Sequence, residues 1–437
     1  MDQLNEVFLN RMKTLLQDDY DEFLQSLKQP QVKSLYVNEN KIDVENFKKI
    51  VDFNVEKIPY ENAGFYVDNE VKGRHPLHHA GAFYFQEPSA MFTVNAYKFK
   101  GNETVLDMCS APGGKSIQIA NRIKNGVLVS NEINKSRCEI LYSNVERMGL
   151  KNVIITNEKP QNLAKAYAGC FDVCLVDAPC SGEGMFRKGS DMVESWNPGL
   201  NEICAIRQLE ILDSADKVLK TNGILIYSTC TYSVEENENV VRKFMEEYGY
   251  ELKEISNEHM QIRGVDMPEA VRLYPHKVKG EGQFVAVLQK ISQTTENFGN
   301  NIKLTTSQTA KNFVLSATNK NFDCYEYKNF VYNVPNLGLI KKNINYLSIG
   351  VRVGEITNKR FQPYHYFFTA YGGDCKNVIA CRFQDDKVKK YLKGETFETE
   401  LSDGYGAFLI DKCPVGGFKV SKGQFKNYYP KGLRNFK

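Results

Sequence analysis

Tryptophan, histidine and long apolar runs are what this 437-residue chain has least of: it carries one Trp and six His. No stretch approaches the roughly 20 consecutive apolar residues of a membrane-spanning helix. The opening MDQLNEVFLNRMKTLLQDDYDEF has acids where a secretory signal would have its apolar centre, so no membrane partner is expected. Eleven cysteines, an odd number without framework spacing, argue against a disulfide scaffold. They fit a reducing, cytoplasmic compartment in which thiols stay free for chemistry. A dominant charge sign is also missing, since 56 Lys+Arg against 53 Asp+Glu leave +3. Total charge therefore neither demands nor excludes nucleic acid. The G-x-G-x-x-G fingerprint of dinucleotide sites is absent. Three histidines cluster in RHPLHHAG (His75, His78, His79), but two are adjacent and no fourth ligand is evident. The segment reads as a loop or RNA-facing surface rather than a metal site.

What is present is ordinary in amount and telling in arrangement. Hydrophobic residues at 42% and charged residues at 25% suit a globular protein with room for two or three cored domains. Leu4, Val7, Phe8, Met12, Leu15 and Leu16 recur at helical spacing, so the chain opens on an amphipathic helix. Strand-like SLYVN, AGFYV and AFYFQ follow, and residues 1–98 read as an N-terminal α+β RNA-binding domain. From Thr104 the strands ETVLDM, GVLVSNE, NVIIT, FDVCLVDAP and NGILIYSTC alternate with amphipathic helices. Such alternation builds a parallel sheet covered on both faces, giving an α/β catalytic domain at 99–291. ISQTTENFGNN, 291–301, is polar and reads as a linker. The region 302–437 is strand-rich and aromatic. From Gly416 onward it has six Lys or Arg and no acid, interleaved with Phe418, Phe425, Tyr428, Tyr429 and Phe436. That pattern reads either as a positive surface with rings for base stacking or as a plain basic surface strand and tail.

Three stretches carry chemistry. In VLDMCSAPGGKS the turn from Cys109 through Ser110, Ala111, Pro112, Gly113 and Gly114 to Lys115 leads from a strand into a helix. Such a turn aims main-chain N–H groups and the positive helix end at an anion. It suits the carboxylate end of a methionine-type cofactor better than a pyrophosphate. Glu132 ends the next strand, where an acid can accept hydrogen bonds from ribose hydroxyls. DVCLVDAPCSGEG and GILIYSTCTYSVEENE each deliver a cysteine, Cys180 and Cys230, to the carboxyl end of an apolar strand, the first with Asp177. Open α/β sheets bind ligands at that edge. Ser233 and Glu236 have the spacing of a helix capping box.

Together VLDMCSAPGGKS, SNEINKSR, DVCLVDAPCSGEGMFRK and YSTCTYSVEENE resemble the Nop/Sun family of S-adenosylmethionine-dependent RNA cytosine-5 methyltransferases. The resemblance runs from about Tyr84 to Lys290. The basic end, KNYYPKGLR, is similar to the bacterial RsmF-like branch, which acts on small-subunit ribosomal RNA and ends in a PUA-like domain. It implies a Rossmann-like class I methyltransferase core, an N-terminal α+β domain and a β-rich PUA-like C-terminal region. It implies S-adenosylmethionine as cofactor and 16S ribosomal RNA or the 30S subunit as partner, with transfer RNA as the alternative. By the same resemblance Cys230 is the nucleophile that adds to carbon 6 of the base, and Cys180 assists breakdown of the intermediate. Lys115 lies near cofactor and substrate. Asp177 is counted with both the catalytic and the cofactor-binding residues, since a carboxylate there can hold the cytosine edge. Arg187 and Lys188, after the catalytic loop, read as phosphate contacts or as plain exposed cations.

One position departs from the family pattern. Where an acid usually meets the adenine end of the cofactor, NVIITNEKPQ places Lys159. Asn157 or Glu158 can substitute by hydrogen bonding, and Asn157 is carried as the expected contact. His365 and Trp196 read as core or loop, and nothing asks for more than a monomer. Competing readings are a DNA cytosine-5 methyltransferase using Cys180, and a non-catalytic RNA-binding ribosome-assembly protein.

Overall fold

The computed structural model describes residues 4–256, 259, 262–294, 297–357 and 360–434. Helix α1 (Glu6–Leu16) starts where the Asn5 side chain accepts from Val7 N, and it buries Phe8 and Met12 one turn apart. It is followed by α2 (Tyr20–Leu27). The apolar side chains Phe8, Met12 and Phe23 of this pair cluster with Phe186, Trp196, Tyr232 and Tyr274. Phe8 meets Phe186 and Trp196 edge-on, with ring centroids 5.0 and 5.9 Å away, far along the chain.

Strands β1 (Ser34–Val37), β2 (Val55–Lys57), β3 (Gly64–Val67) and β4 (Phe83–Phe85) form an antiparallel sheet in the order β2-β3-β1-β4. SLYVN, AGFYV and AFYFQ thus become β1, β3 and β4. Helix α3 (Pro88–Asn95) then leads into the core.

The core alternates β5 (Thr104–Asp107), α4 (Gly114–Arg122), β6 (Val127–Asn131), α5 (Lys135–Met148), β7 (Val153–Thr156), β8 (Phe171–Asp177), α6 (Gly199–Val218), β9 (Leu219–Thr229) and α7 (Glu238–Tyr248). After these come β10 (Tyr250–Lys253), β11 (Arg263–Gly264), β12 (Met267–Leu273) and β13 (Gln283–Lys290). Strands β5 to β9 are mutually parallel, in the order β9-β8-β5-β6-β7; β13 pairs antiparallel with β9, and β10 to β12 continue the sheet beyond it. This is the doubly wound, Rossmann-like arrangement expected. The chain winds outward from β5 to β7 and then returns to β8, so the switch point lies between β5 and β8, where such sheets bind ligands. Helix α5 shows how local sequence sets the elements. Asn134 caps its start and Gly149, in the left-handed region, ends it.

Beyond the core, the β-rich region is less separate than its sequence suggests. Asn297–Phe298, inside the expected linker, pairs with Tyr167–Ala168. Strand β14 (Tyr346–Ser348) adds antiparallel to β7 and extends the central sheet. Five strands between Thr305 and Pro363 form one further sheet, and four between Asn377 and Asn427 form another. The helix His365–Tyr371 packs on α5, where the Tyr366 hydroxyl donates to Leu150 O at 2.6 Å. Lys41 ties three regions together, its ammonium donating to Ala80 O, Arg147 O and Pro414 O at 2.7, 3.0 and 2.8 Å. Among the described residues no helix is long and apolar enough to cross a membrane.

Candidate active site

The turn after β5 runs Met108–Gly113, with Gly113 at φ +115°, a left-handed conformation that glycine adopts freely. It delivers the N-terminus of α4, which no side chain caps, to the switch point. Helix α5 braces the turn: Arg137 donates to Ala111 O at 2.7 Å and Asn144 to Pro112 O at 2.9 Å. Ser110 N bonds Asn131 O at 2.8 Å, locking the turn to the end of β6. Asp107 is fully buried, accepts from Ser116 Oγ on one oxygen, and has no hydrogen-bond partner on the other among the described residues. Burial pushes its carboxyl up to about 7. Glu132 is 3% exposed at the end of β6, where it accepts from Asn134 N at 2.8 Å and faces Arg137 at 3.5 Å.

Beside this turn the ends of β8 and β9 bring the expected catalytic groups together. Asp177 accepts from Lys115 Nζ at 2.8 Å and from Ser228 Oγ at 2.7 Å. Burial pulls the Lys115 ammonium down, but the Asp177 carboxylate more than offsets it, so its pKa is raised. The sulfurs of Cys180 and Cys230, fifty residues apart in sequence, lie 3.3 Å apart and both are free thiols. The contact with Cys230 and burial hold the Cys180 thiol well above its ordinary value, so it keeps its proton. One cavity of about 270 Å³ is lined by Cys230, Asp177, Lys115, Asp107 and the turn residues. Its far wall is Tyr84, Phe85, Gln86 and Glu87, contributed from β4 and the segment after it.

The same strand ends carry a polar network that the sequence reading missed. Glu236 does not close a capping box. Its main-chain N–H takes Ser233 Oγ at 3.2 Å, but its carboxylate turns inward onto Ser181. Glu183, fully buried, accepts from Trp196 Nε1 at 3.1 Å and Asn201 Nδ2 at 2.7 Å, and pairs with Arg11 of α1 at 2.6 Å. Trp196 sits in the core as expected and also orients Glu183. The visible signal was the run of acids in SVEENE within an otherwise apolar stretch.

Other expectations change. Arg187 is not open to phosphate: it is paired with Glu281 at 2.9 Å and also donates to Gly280 O. The side chain of Lys188 lies outside the described residues, as does Phe436. His78 is packed between Phe83 and Phe85, and His75 and His79 bond Asp52 and Tyr429, so these histidines join segments rather than face RNA. Phe418, Phe425 and Tyr429 are core residues, not stacking surface. Their alternation with lysines along two paired strands is inward–outward alternation, which the count of rings and charges could not reveal. Asn157 spends its side-chain amide on Glu132 O and Ile133 O at 2.7 and 3.0 Å, bracing β6 against β7. Glu158 is held by Asn345 N at 2.9 Å, and Lys159 is exposed.

Comparison with known proteins finds matches to three stretches of the chain. Residues 94–289 match the profile of 16S rRNA methyltransferase RsmB/F, residues 4–88 the N-terminal domain of 16S rRNA methyltransferase RsmF, and 379–435 the methyltransferase RsmF PUA domain. The chain belongs to the RsmB/F methyltransferase family. Two relatives matched over nearly their whole length are ribosomal RNA small subunit methyltransferase F of Erwinia tasmaniensis, 28% identical over 98% of this chain and 96% of that one, and its namesake in an Enterobacter species, 29% identical over 98% and 95%. A methyltransferase homologue from Pyrococcus horikoshii is 27% identical, with TM-score 0.57 over 65% of this chain and 95% of that chain. NSun6 from the same organism, solved with SFG, shares the fold at 23% identity and TM-score 0.58, over 65% and 98%. This RsmB/F member is an S-adenosylmethionine-dependent RNA methyltransferase. Its residues fit that cofactor: the uncapped α4 N-terminus suits a carboxylate, and the unpartnered Asp107 oxygen suits an ammonium.

Proposed function

We propose that the protein methylates carbon 5 of a cytidine in 16S ribosomal RNA through a covalent bond between Cys230 and carbon 6. The observation that carries this reading is that Cys230 lines the cavity together with Asp177 and Lys115, while the Cys180 sulfur lies 3.3 Å behind it, outside the lining. The turn from Cys109 to Lys115 would hold the cofactor's amino-acid end, Glu132 its ribose, and Asn157 would meet its adenine end. The bound cofactor supplies an electrophilic methyl group. Residues 1–98 and 302–437 hold the RNA.

The chemistry assigns each group a task. Carbon 5 of cytosine is too weak a nucleophile until a thiolate adds to carbon 6 and makes the ring an enamine. Burial and the contact with Cys230 keep the proton on Cys180, so of the two sulfurs it is Cys230, on the cavity, that attacks. Asp177, held by Lys115 and Ser228, accepts from the exocyclic amine and steadies N3, which takes a proton from water as carbon 6 is attacked and returns it to water when the thiolate is expelled. Once carbon 5 carries the methyl, its proton leaves to water. The C–H electrons form the 5,6 double bond, the C–S bond breaks, and Cys230 departs as thiolate toward the waiting Cys180 S–H.

Cys230→Ala is expected to abolish 5-methylcytidine formation. Cys180→Ala is expected to accumulate a denaturant-resistant protein–RNA adduct, visible on a denaturing gel. Methylation at carbon 5 by the Cys230→Ala protein would refute the route. Bisulfite sequencing of total RNA from cells with and without the protein tests the substrate; a changed site in transfer RNA alone would redirect it.

A further inference from the structure

Glu236 lies outside the cavity lining, yet it is among the most heavily bonded groups near it. One carboxylate oxygen accepts from Ser181 N at 2.9 Å and Gln208 Nε2 at 3.0 Å; the other accepts from Ser181 Oγ and, at 2.8 Å, from Asn201 Nδ2. The same Gln208 amide donates to Pro179 O at 3.0 Å. The residues immediately before and after Cys180 thus both hang on this carboxylate and its partner. Glu236 is itself moored to the strand that bears Cys230, because the Tyr227 hydroxyl of β9 donates to its main-chain oxygen at 2.6 Å. A carboxylate at 0% exposure is costly, and here the cost is raised by Glu183, which shares Asn201. Four donors compensate it: two belong to Ser181, next to the second thiol, and two come from α6, whose Asn201 and Gln208 also bond Ser181 Oγ and Pro179 O.

We infer that Glu236 is the positioning residue that keeps Cys180 against Cys230, and so sets the rate at which the methylated base is released. The inference rests on the covalent route proposed above. Glu236 touches neither substrate nor cofactor; it acts by holding a loop whose other end is stitched to the same strand, with Gly184 N on Cys230 O at 2.9 Å.

Glu236→Gln tests this in the full chain. The amide keeps the size of the side chain but turns one acceptor into a donor facing other donors, which loosens the loop. With RNA and S-adenosylmethionine, E236Q is expected to raise the denaturant-resistant adduct on the order of ten-fold over the parent, as for the loss of one or two hydrogen bonds to a charged group. Cofactor affinity by calorimetry should be unchanged. In a Cys180→Ala background, E236Q should add nothing, since its partner is gone. Adduct at the parental level with reduced turnover, or effects of the two substitutions that multiply, would overturn the inference. If C180A itself forms no adduct, the covalent reading fails instead. Should E236Q not fold, Ser181→Ala, which removes only the hydroxyl part of the grip, carries the same test: more adduct supports the inference and parental adduct overturns it.

Discussion

Arg272→Met removes the cation from a charge pair whose side chains are 3% and 0% exposed. Arg272 Nε and Nη2 donate to the two oxygens of Glu238 at 2.7 and 2.6 Å, and Nη1 donates to Tyr232 O at 2.8 Å, two residues beyond Cys230. Without the guanidinium, Glu238 keeps, among the described residues, the main-chain N–H of Val265 at 2.9 Å as the side-chain partner for its buried charge. Breaking such a pair from one side costs about 3–5 kcal/mol, because the remaining charge stays desolvated and unpaired. For a cooperative unit of about 200 residues that corresponds to a fall in Tm of about 6–20 °C, at roughly 2–4 °C per kcal/mol. Thermal unfolding followed by circular dichroism would measure it. Arg272→Met combined with Glu238→Leu should recover most of the loss, to within about 2 kcal/mol of the parent, since an apolar pair of similar volume needs no compensation. A single variant costing under about 1 kcal/mol, or a double variant worse than the single, would refute the reasoning.

Gly184 approaches Gly282 and Cys230 so closely that an added Cβ would lie 2.8 Å from Gly282 Cα and 2.9 Å from Cys230 O. Gly184→Ala is therefore expected to cost about 1–3 kcal/mol in denaturant unfolding and to suppress methylation; unchanged activity would contradict the geometry. Burial, with the Arg147 charge beside it, pulls His78 down to about 2. Its folded-state value is below the ordinary 6.5, so the unfolded chain binds the extra proton and stability falls as pH drops below about 6.5. His78→Gln should lose about 1.4 kcal/mol less per pH unit between about pH 6 and pH 4, read from denaturant midpoints. Asp107 has the opposite sign. Raised to about 7, it costs stability as pH climbs from about 4 through 7, so apo Asp107→Asn should be the more stable form at about pH 8 and show no advantage near pH 4.

The parallel sheet was legible because its strands are short apolar runs set apart by helical spacing, and because burial on both faces leaves no other reading for VLDM or LIYSTC. The two thiols were legible as strand-end residues. Their 3.3 Å contact was not, since it depends on β8 and β9 being neighbours in register, Asp177 beside Ser228. Glu236 was misread for a physical reason. Its spacing to Ser233 fits a cap equally well, and only the tertiary fold supplies Ser181, Asn201 and Gln208 as better partners for a carboxylate. Arg187 failed likewise: nothing local announces that Glu281, ninety-four residues later, neutralises it. The tail lysines and rings were correctly counted, but counting cannot separate the two faces of a paired strand.

Strand β14, drawn from well beyond the core, covers the outer rim of β7 by pairing Tyr346 with Thr156 and Ser348 with Ile155. A shortened protein ending near Lys290 would leave that rim as bare peptide groups beside a fully buried strand sequence, VIIT. Uncovered rims of this kind recruit other chains. The late segment thus doubles as a guard against clumping, and the catalytic portion made by itself should come out of solution while the whole chain stays dispersed.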